Sequence, residues 1–191
     1  MARLYLVVLH HLVTNKHGSV VTTAPIGPDV HDIARACATY GVERYYVATP
    51  LERHRAFVTR MVDHWTVGLG AAYNPDRKAA MEFIEVVVGM EEAVQAAEER
   101  SGLRPITVAT SARQGSATLS FEDFRRSLKD GGGAYLLVLG TGSGLAEEVL
   151  EACDERLEPI VGPSAYNHLP VRSAAAIILD RLREVRYTSA D

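Results

Sequence analysis

YLLVLGTGSGLAEEVLEACDERLEPIVGPSAYNHLPVRSAAAIILDRL, residues 135–182, contains two strand-to-loop-to-helix transitions in succession. An apolar run over 135–139 enters the turn Gly140-Thr141-Gly142-Ser143-Gly144. A helical pattern over 145–153 follows, and a second, short strand is expected at 159–161. A Gly162-Pro163 loop, the polar pair Asn167-His168 and a small-residue helix over 171–185 come next. Each strand ends in a loop whose bare backbone can approach a ligand, and a helix starts after each. Such a pair of loops at the carboxyl edge of a parallel sheet suits an adenine nucleoside or similar cofactor.

The glycine turn alone decides little. Its spacing is not the G-x-G-x-x-G of the dinucleotide fingerprint, and no Gly-Lys-Ser/Thr makes it a P-loop. A tight turn in which glycine supplies positive φ explains it equally well. The surrounding chain is more informative. Runs rich in β-branched residues over 4–9, 44–48, 83–88, 105–110, 135–139 and 159–161 read as strands. Helical patterns over 29–40, 51–67, 90–101, 120–129, 145–153 and 171–185 alternate with them. Several strands are nearly continuous apolar runs, as expected when helices cover both sheet faces. The alternation predicts one α/β, doubly wound, mostly parallel sheet spanning residues 1–191 as a single domain. Asp29 is expected to cap the first helix and Gly41 to stop it. Ser120 with Asp123 forms a capping-box-like start. The polar segments 10–27 and 68–78 read as loops.

Composition excludes several classes. The chain has 191 residues, is 47% hydrophobic and carries a net charge of -4, so a broad basic nucleic-acid surface is not expected. No apolar run is long enough to cross a bilayer, and the apolar start reads as a buried strand rather than a signal peptide. Cys37 and Cys153 have no CxxC partner, which suits reduced thiols in a cytoplasmic protein. His10-His11 on a strand point to opposite faces, and His54 and His64 lack ligand spacing, so no metal is expected. No Gly-x-Ser-x-Gly elbow is present and neither cysteine has a nearby histidine, which argues against a covalent nucleophile.

Three further segments carry a resemblance. Residues 28–41, PDVHDIARACATYG, lead into Val47-Ala48-Thr49-Pro50. This resembles the first motif of the SPOUT-class RNA methyltransferases, in which an arginine-bearing helix precedes a glycine turn and a strand ending near proline. Thr110-Ser111-Ala112-Arg113 looks like the strand end of the ribose methyltransferases of that class. Residues 136–145 and 169–179 resemble their second and third motifs. The motifs stand in the right order over most of the chain. The chain is similar to small bacterial members that carry an Asn-Lys-Gly-like segment after the first strand, here Asn15-Lys16-His17-Gly18.

The resemblance implies a carboxyl-terminal trefoil knot, with the knot and cofactor region at about 105–185, although knots are rare exceptions to the usual connection rules. It implies S-adenosylmethionine as cofactor, an RNA substrate (tRNA or rRNA) and a homodimer with the site near the interface. Carried over by position, the cofactor would lie against Thr110, Ser111, Leu139, Gly140, Thr141, Gly142, Gly144, Ile160, Val161, Gly162, Leu169, Val171, Ser173 and Ala174. Arg35 matches the catalytic arginine. Asp29 stands where the first motif has asparagine. Gly142-Ser143 replaces the usual glutamate region, and Leu169-Pro170-Val171-Arg172 replaces Leu-Asn-Val-Ser. These departures leave the target atom open between base and ribose. They also leave open a non-catalytic knotted binder of cofactor or RNA. A small Rossmann-like oxidoreductase lacks its early glycine turn and following acid.

Arg35 suits phosphate or oxyanion stabilisation, because a guanidinium stays protonated and binds bidentately. A solvated helix arginine is the plain alternative. Substrate contacts are expected from Asp29, Arg113, Lys16, Tyr73, Asn167 and Arg172. Tyr73 in particular suits stacking on an unpaired base.

Overall fold

A computed structural model describes residues 1–115 and 117–185. In chain order the elements are β1 Arg3–Leu9, the hairpin β2 Val13–Thr14 and β3 Val20–Val21, α1 Gly27–Thr39, β4 Arg44–Ala48 and α2 Glu52–Thr66. Then come α3 Leu69–Tyr73, α4 Pro75–Met81, β5 Ile84–Val87, α5 Met90–Ser101 and β6 Ile106–Thr110. The remainder is α6 Phe121–Asp130, β7 Ala134–Gly140, α7 Glu147–Ala152, β8 Glu155–Leu157 and α8 Val171–Arg183.

The six-stranded sheet runs β5-β4-β1-β7-β6-β8 with every pairing parallel. Its two faces follow from the period of two along each strand. Leu4, Leu6 and Val8 of β1 join Ile33, Phe124, Leu128 and Leu179 in the core beneath α1, α6 and α8. Tyr5, Val7 and Leu9 join Ala93, Ala97 and Val149 beneath α5 and α7. Both sets are buried, so the strand reads as an unbroken apolar run. The doubly wound reading therefore matches the architecture.

Helix ends obey local chemistry. Ser120 accepts from the Asp123 N–H at 3.0 Å, as the capping box requires. Gly41 has φ +65° just past α1, a conformation that side chains resist. Asp29, however, is not the cap. The helix starts at Gly27 with Pro28 in its first turn, because the fixed φ of proline suits that position, and Asp29 lies inside the turn.

Four expectations are corrected. The last strand is Glu155–Leu157 and not 159–161. Pro159 has no N–H for a ladder, while Asp154 anchors the chain earlier by accepting from the N–H and hydroxyl of Thr107 at 2.8 and 2.7 Å. The segment 68–78 is not a loop but holds α3 and the start of α4, which Asn74 caps by accepting from Arg77 N–H at 2.9 Å. The segment 10–27 contains the β2–β3 hairpin, whose tip is turned by Asn15 accepting from His17 and Ser19. The predicted helix at 145–153 shortens to Glu147–Ala152.

One connection controls the carboxyl edge. β8 pairs with β6 along one side. Along its other side the chain that has left β6 returns: Thr118 and Leu119 donate to the Arg156 carbonyl at 2.9 and 3.1 Å, and Glu158 donates to the Leu119 carbonyl at 2.9 Å. β8 is thus flanked by β6 on one side and, on the other, by the connection that leads from β6 to α6.

Candidate functional site

The loops after β6, β7 and β8 gather at the carboxyl edge of the sheet. The glycine turn after β7 is held from outside by the hairpin. Thr14 N–H donates to the Gly144 carbonyl at 2.9 Å, Ser143 N–H to the Thr14 carbonyl at 2.8 Å, and Ala146 N–H to the Leu12 carbonyl at 2.8 Å. A Cβ on Gly142 would meet the Thr14 carbonyl oxygen at 2.7 Å, and Gly142 has φ +63°. A Cβ on Gly140 would meet the backbone nitrogen of Leu145 at 2.8 Å. These two glycines are therefore required by the chain's own packing. Gly144, at φ +111°, and Gly162 have open space where a Cβ would stand.

Below the turn lies a polar relay that the sequence reading did not single out. Thr141 and Thr23 hydroxyls are 2.6 Å apart, Thr141 donates to the Leu9 carbonyl at 3.2 Å, and Thr23 Oγ1 lies 3.1 Å from His10 Nδ1. His10 ends the central strand and is buried. Burial pushes its pKa down to about 4, and the nearby His54 acts in the same direction. The available signal was a histidine at the end of an apolar strand, followed by threonines in a polar segment.

The other two loops touch each other. Asn167 donates from its side-chain amide to the Ala112 carbonyl at 3.0 Å, and Arg113 N–H donates to Ser111 Oγ at 3.1 Å. Thr110 turns its hydroxyl to the Val138 carbonyl at 3.1 Å. Ile160 is half-buried, whereas Val161, Tyr166 and Leu169 are 57, 74 and 44% exposed on the 158–170 loop. Leu139 is buried, while Ser173 and Ala174 lie in the first turn of α8 behind Val171. Bare backbone beside apolar side chains is a fitting environment for a purine and ribose.

The expected substrate residues are spread more widely. Arg172 Nη1 pairs with Asp29 Oδ1 at 2.7 Å and its Nε with Asp32 at 3.7 Å, tying the start of α8 to α1. Arg113 lies 3.5 Å from Glu147. Lys16 sits on the exposed hairpin tip. Tyr73 ends α3, away from the three loops in the topology, and is 85% exposed. Arg35 is exposed on α1, and its guanidinium makes no ion pair among the described residues. It stands eight residues beyond Gly27, about 12 Å down the helix from the carboxyl edge at 1.5 Å per residue.

A family profile described as SAM-dependent RNA methyltransferase matches residues 3–184. The chain belongs to this family of RNA methyltransferases. It is 44% identical to a tRNA (guanine-N(1)-)-methyltransferase of Oleidesulfovibrio alaskensis, over 94% of this chain and 41% of that protein. It is 33% identical to an uncharacterized protein of Aquifex aeolicus, over 93% of this chain and 87% of the other. The chain thus spans about two fifths of the length of the tRNA (guanine-N(1)-)-methyltransferases it matches. Its fold is similar to that of the TrmH/SpoU tRNA modifying enzyme of A. aeolicus, with a TM-score of 0.55, 20% identity, and coverage of 96% of this chain and 75% of the other. The SPOUT-class recognition made from the motif order matches both findings. Among the described residues, no helix is long and apolar enough to cross a membrane, and no group of acidic, histidine or cysteine side chains forms a metal site.

Proposed function

We propose that this chain transfers the methyl group of S-adenosylmethionine to a nucleotide of tRNA, working in the cytoplasm as a homodimer. The carrying observation is the enclosure of β8 between β6 and Thr118–Leu119. It brings three strand-end loops to one place and supports a threaded, trefoil-knotted carboxyl-terminal region. The cofactor would lie against the backbone of Leu139, Gly140, Thr141, Gly142, Gly144 and Gly162. Ile160, Val161, Leu169 and Val171 would supply apolar cover, and Thr110, Ser111, Ser173 and Ala174 would line its far side. When bound, the cofactor supplies an electrophilic methyl group on a sulfonium.

The chain's own residues must then align the acceptor in line with that methyl and stabilise charge as the acceptor loses its proton. Arg35 is assigned to the acceptor as its phosphate or oxyanion clamp. Its position about 12 Å from the edge of its own sheet favours service to the partner subunit's cofactor loops across a two-fold axis. Arg113, Lys16, Tyr73 and Asn167 extend the RNA contact, while Asp29 and Arg172 brace α1 against α8 at its border. The test is incubation of the purified chain with isotopically methyl-labelled cofactor and unmodified tRNA, followed by nucleoside analysis. One labelled nucleoside is expected. Cofactor binding without label in any RNA would leave only a binder.

A further inference from the structure

Helices α2 to α4 form an aromatic and cationic edge away from the loops proposed to hold the cofactor. Trp65 is its centre. Arg77 lies over the indole with its guanidinium carbon 4.6 Å from the ring centroid. His64 and His31 meet the same indole edge-on at 5.0 and 5.7 Å. Gly70 packs so closely that a Cβ there would stand 2.7 Å from the indole. That contact fixes α3 and leaves Tyr73, its last residue, projecting into solvent. The charge of the molecule is also segregated. Helices α2 and α4 carry Arg53, Arg55, Arg60, Arg77 and Lys78 against Glu52, Asp63 and Asp76, whereas α5 and α7 carry seven glutamates against the single Arg100.

We propose that this edge is a stacking platform for an unpaired segment of the RNA substrate, with Tyr73 as one base seat and the Trp65–Arg77 pair as another. The proposal rests on the RNA methyltransferase reading and adds where the RNA lies beyond the reacting nucleotide. Bases without a paired partner stack on aromatic rings and on guanidinium planes, and cations beside them track the phosphates. A guanidinium already held over an indole is ordered for such a stack before RNA arrives, so little side-chain freedom is lost on binding. The excess of cations over carboxylates on α2 and α4 fits a polyanion, where the α5 and α7 face would repel it.

Trp65 is the only tryptophan, so its emission reports on the platform directly. The experiment titrates the full chain with a single-stranded oligouridylate and with a duplex of equal length. It also measures methyl incorporation into tRNA and the sedimentation coefficient. Saturable quenching by the single strand, weaker quenching by the duplex, and about 5- to 50-fold weaker binding in Tyr73→Ala and Arg77→Ala are expected. Tyr73 is exposed, so its variant keeps the fold and isolates stacking. An Arg104→Ala control on the acidic face should bind as wild type. Methylated tRNA with unchanged emission and unchanged variant affinities would overturn the platform and leave the enzyme reading intact. A Tyr73→Ala variant that loses the dimer while keeping RNA affinity would also overturn it, because the edge would then be an interface between copies. No RNA binding and no methylation in wild type would remove both readings.

Discussion

Gly142 is the position at which the hairpin and the glycine turn can be separated energetically. Replacing it with alanine imposes two distinct costs. A left-handed backbone, here φ +63°, costs a non-glycine residue about 1–2 kcal/mol. The new Cβ would also stand 2.7 Å from the Thr14 carbonyl oxygen, which is backbone and cannot rotate away. Relief requires the hairpin to move. That loosens the Ser143-to-Thr14 and Thr14-to-Gly144 hydrogen bonds, which together are worth about 2 kcal/mol. The sum is about 3–4 kcal/mol, a large part of the total of about 5–15 kcal/mol typical of a domain. At this size it corresponds to a fall in Tm of roughly 10 °C. Gly41→Ala is the matched control: at φ +65° it shares the left-handed conformation, its Cβ meets nothing, and it should cost only about 1–2 kcal/mol. Gly142→Asn relieves the conformational part and keeps the overlap. Urea unfolding of the three variants reads these differences. Equal losses in Gly142→Ala and Gly41→Ala would refute the hairpin contact as the reason for glycine at 142.

S-Adenosylmethionine at a hundred times its Kd should stabilise the wild type by about 2.7 kcal/mol, seen as a shift in calorimetric Tm, while NADH should give none. Arg35→Ala should keep cofactor affinity and lower the single-turnover methylation rate steeply. Arg35→Lys should rescue poorly, because an ammonium lacks the planar fork; full turnover in Arg35→Ala would make Arg35 an ordinary solvated side chain. His10 has its pKa lowered from 6.5 to about 4, so between these values the unfolded chain binds a proton that the folded chain refuses. Stability from this residue is complete above about pH 6.5 and falls towards pH 4 by up to about 3 kcal/mol, a slope that His10→Gln should flatten in unfolding measured across that range.

What was legible in the sequence was what local pattern encodes. β1 and β7 are apolar on both faces, so their burial under two helical layers was readable before any contact was known. Ser120 with Asp123 and Gly41 gave helix ends by chemistry confined to four or five residues. The errors came where distant contacts overrode local appearance. Residues 159–161 look more like a strand than Glu155–Leu157. The latter pair because Asp154 is anchored to Thr107 and because Thr118 and Leu119 supply a second edge. The 68–78 segment looked like a loop because of Gly68, Gly70 and Pro75. Yet proline suits a helix start, Asn74 caps it, and Gly70 is needed where the backbone meets Trp65. The glycine turn was expected as a cofactor loop, and the structure adds that Gly140 and Gly142 serve the chain's own packing. The hydrogen-bonded link among His10, Thr23 and Thr141 was not legible, because it exists only once the hairpin folds back across the sheet edge.

These distant contacts bear on how the site is made. Thr14 and Gly144 are 130 residues apart, Asp29 and Arg172 are 143 apart, and Asn167 and Ala112 are 55 apart. All three meet at the carboxyl edge. No contiguous third of the chain contains both partners of the two longer ties. Loop-closure entropy rises only slowly with length, so the ties are tolerable in the finished fold. They are costly along the way, since non-local contacts form late. With Glu155–Leu157 in place between β6 and Thr118–Leu119, the loop that follows it reaches Ala112 and α8 brings Arg172 to Asp29. The glycine turn, the loop after β6 and the loop after β8 therefore become a site together. The proposed cofactor binding would then report on completion of the whole carboxyl-terminal arrangement rather than on the presence of any one motif.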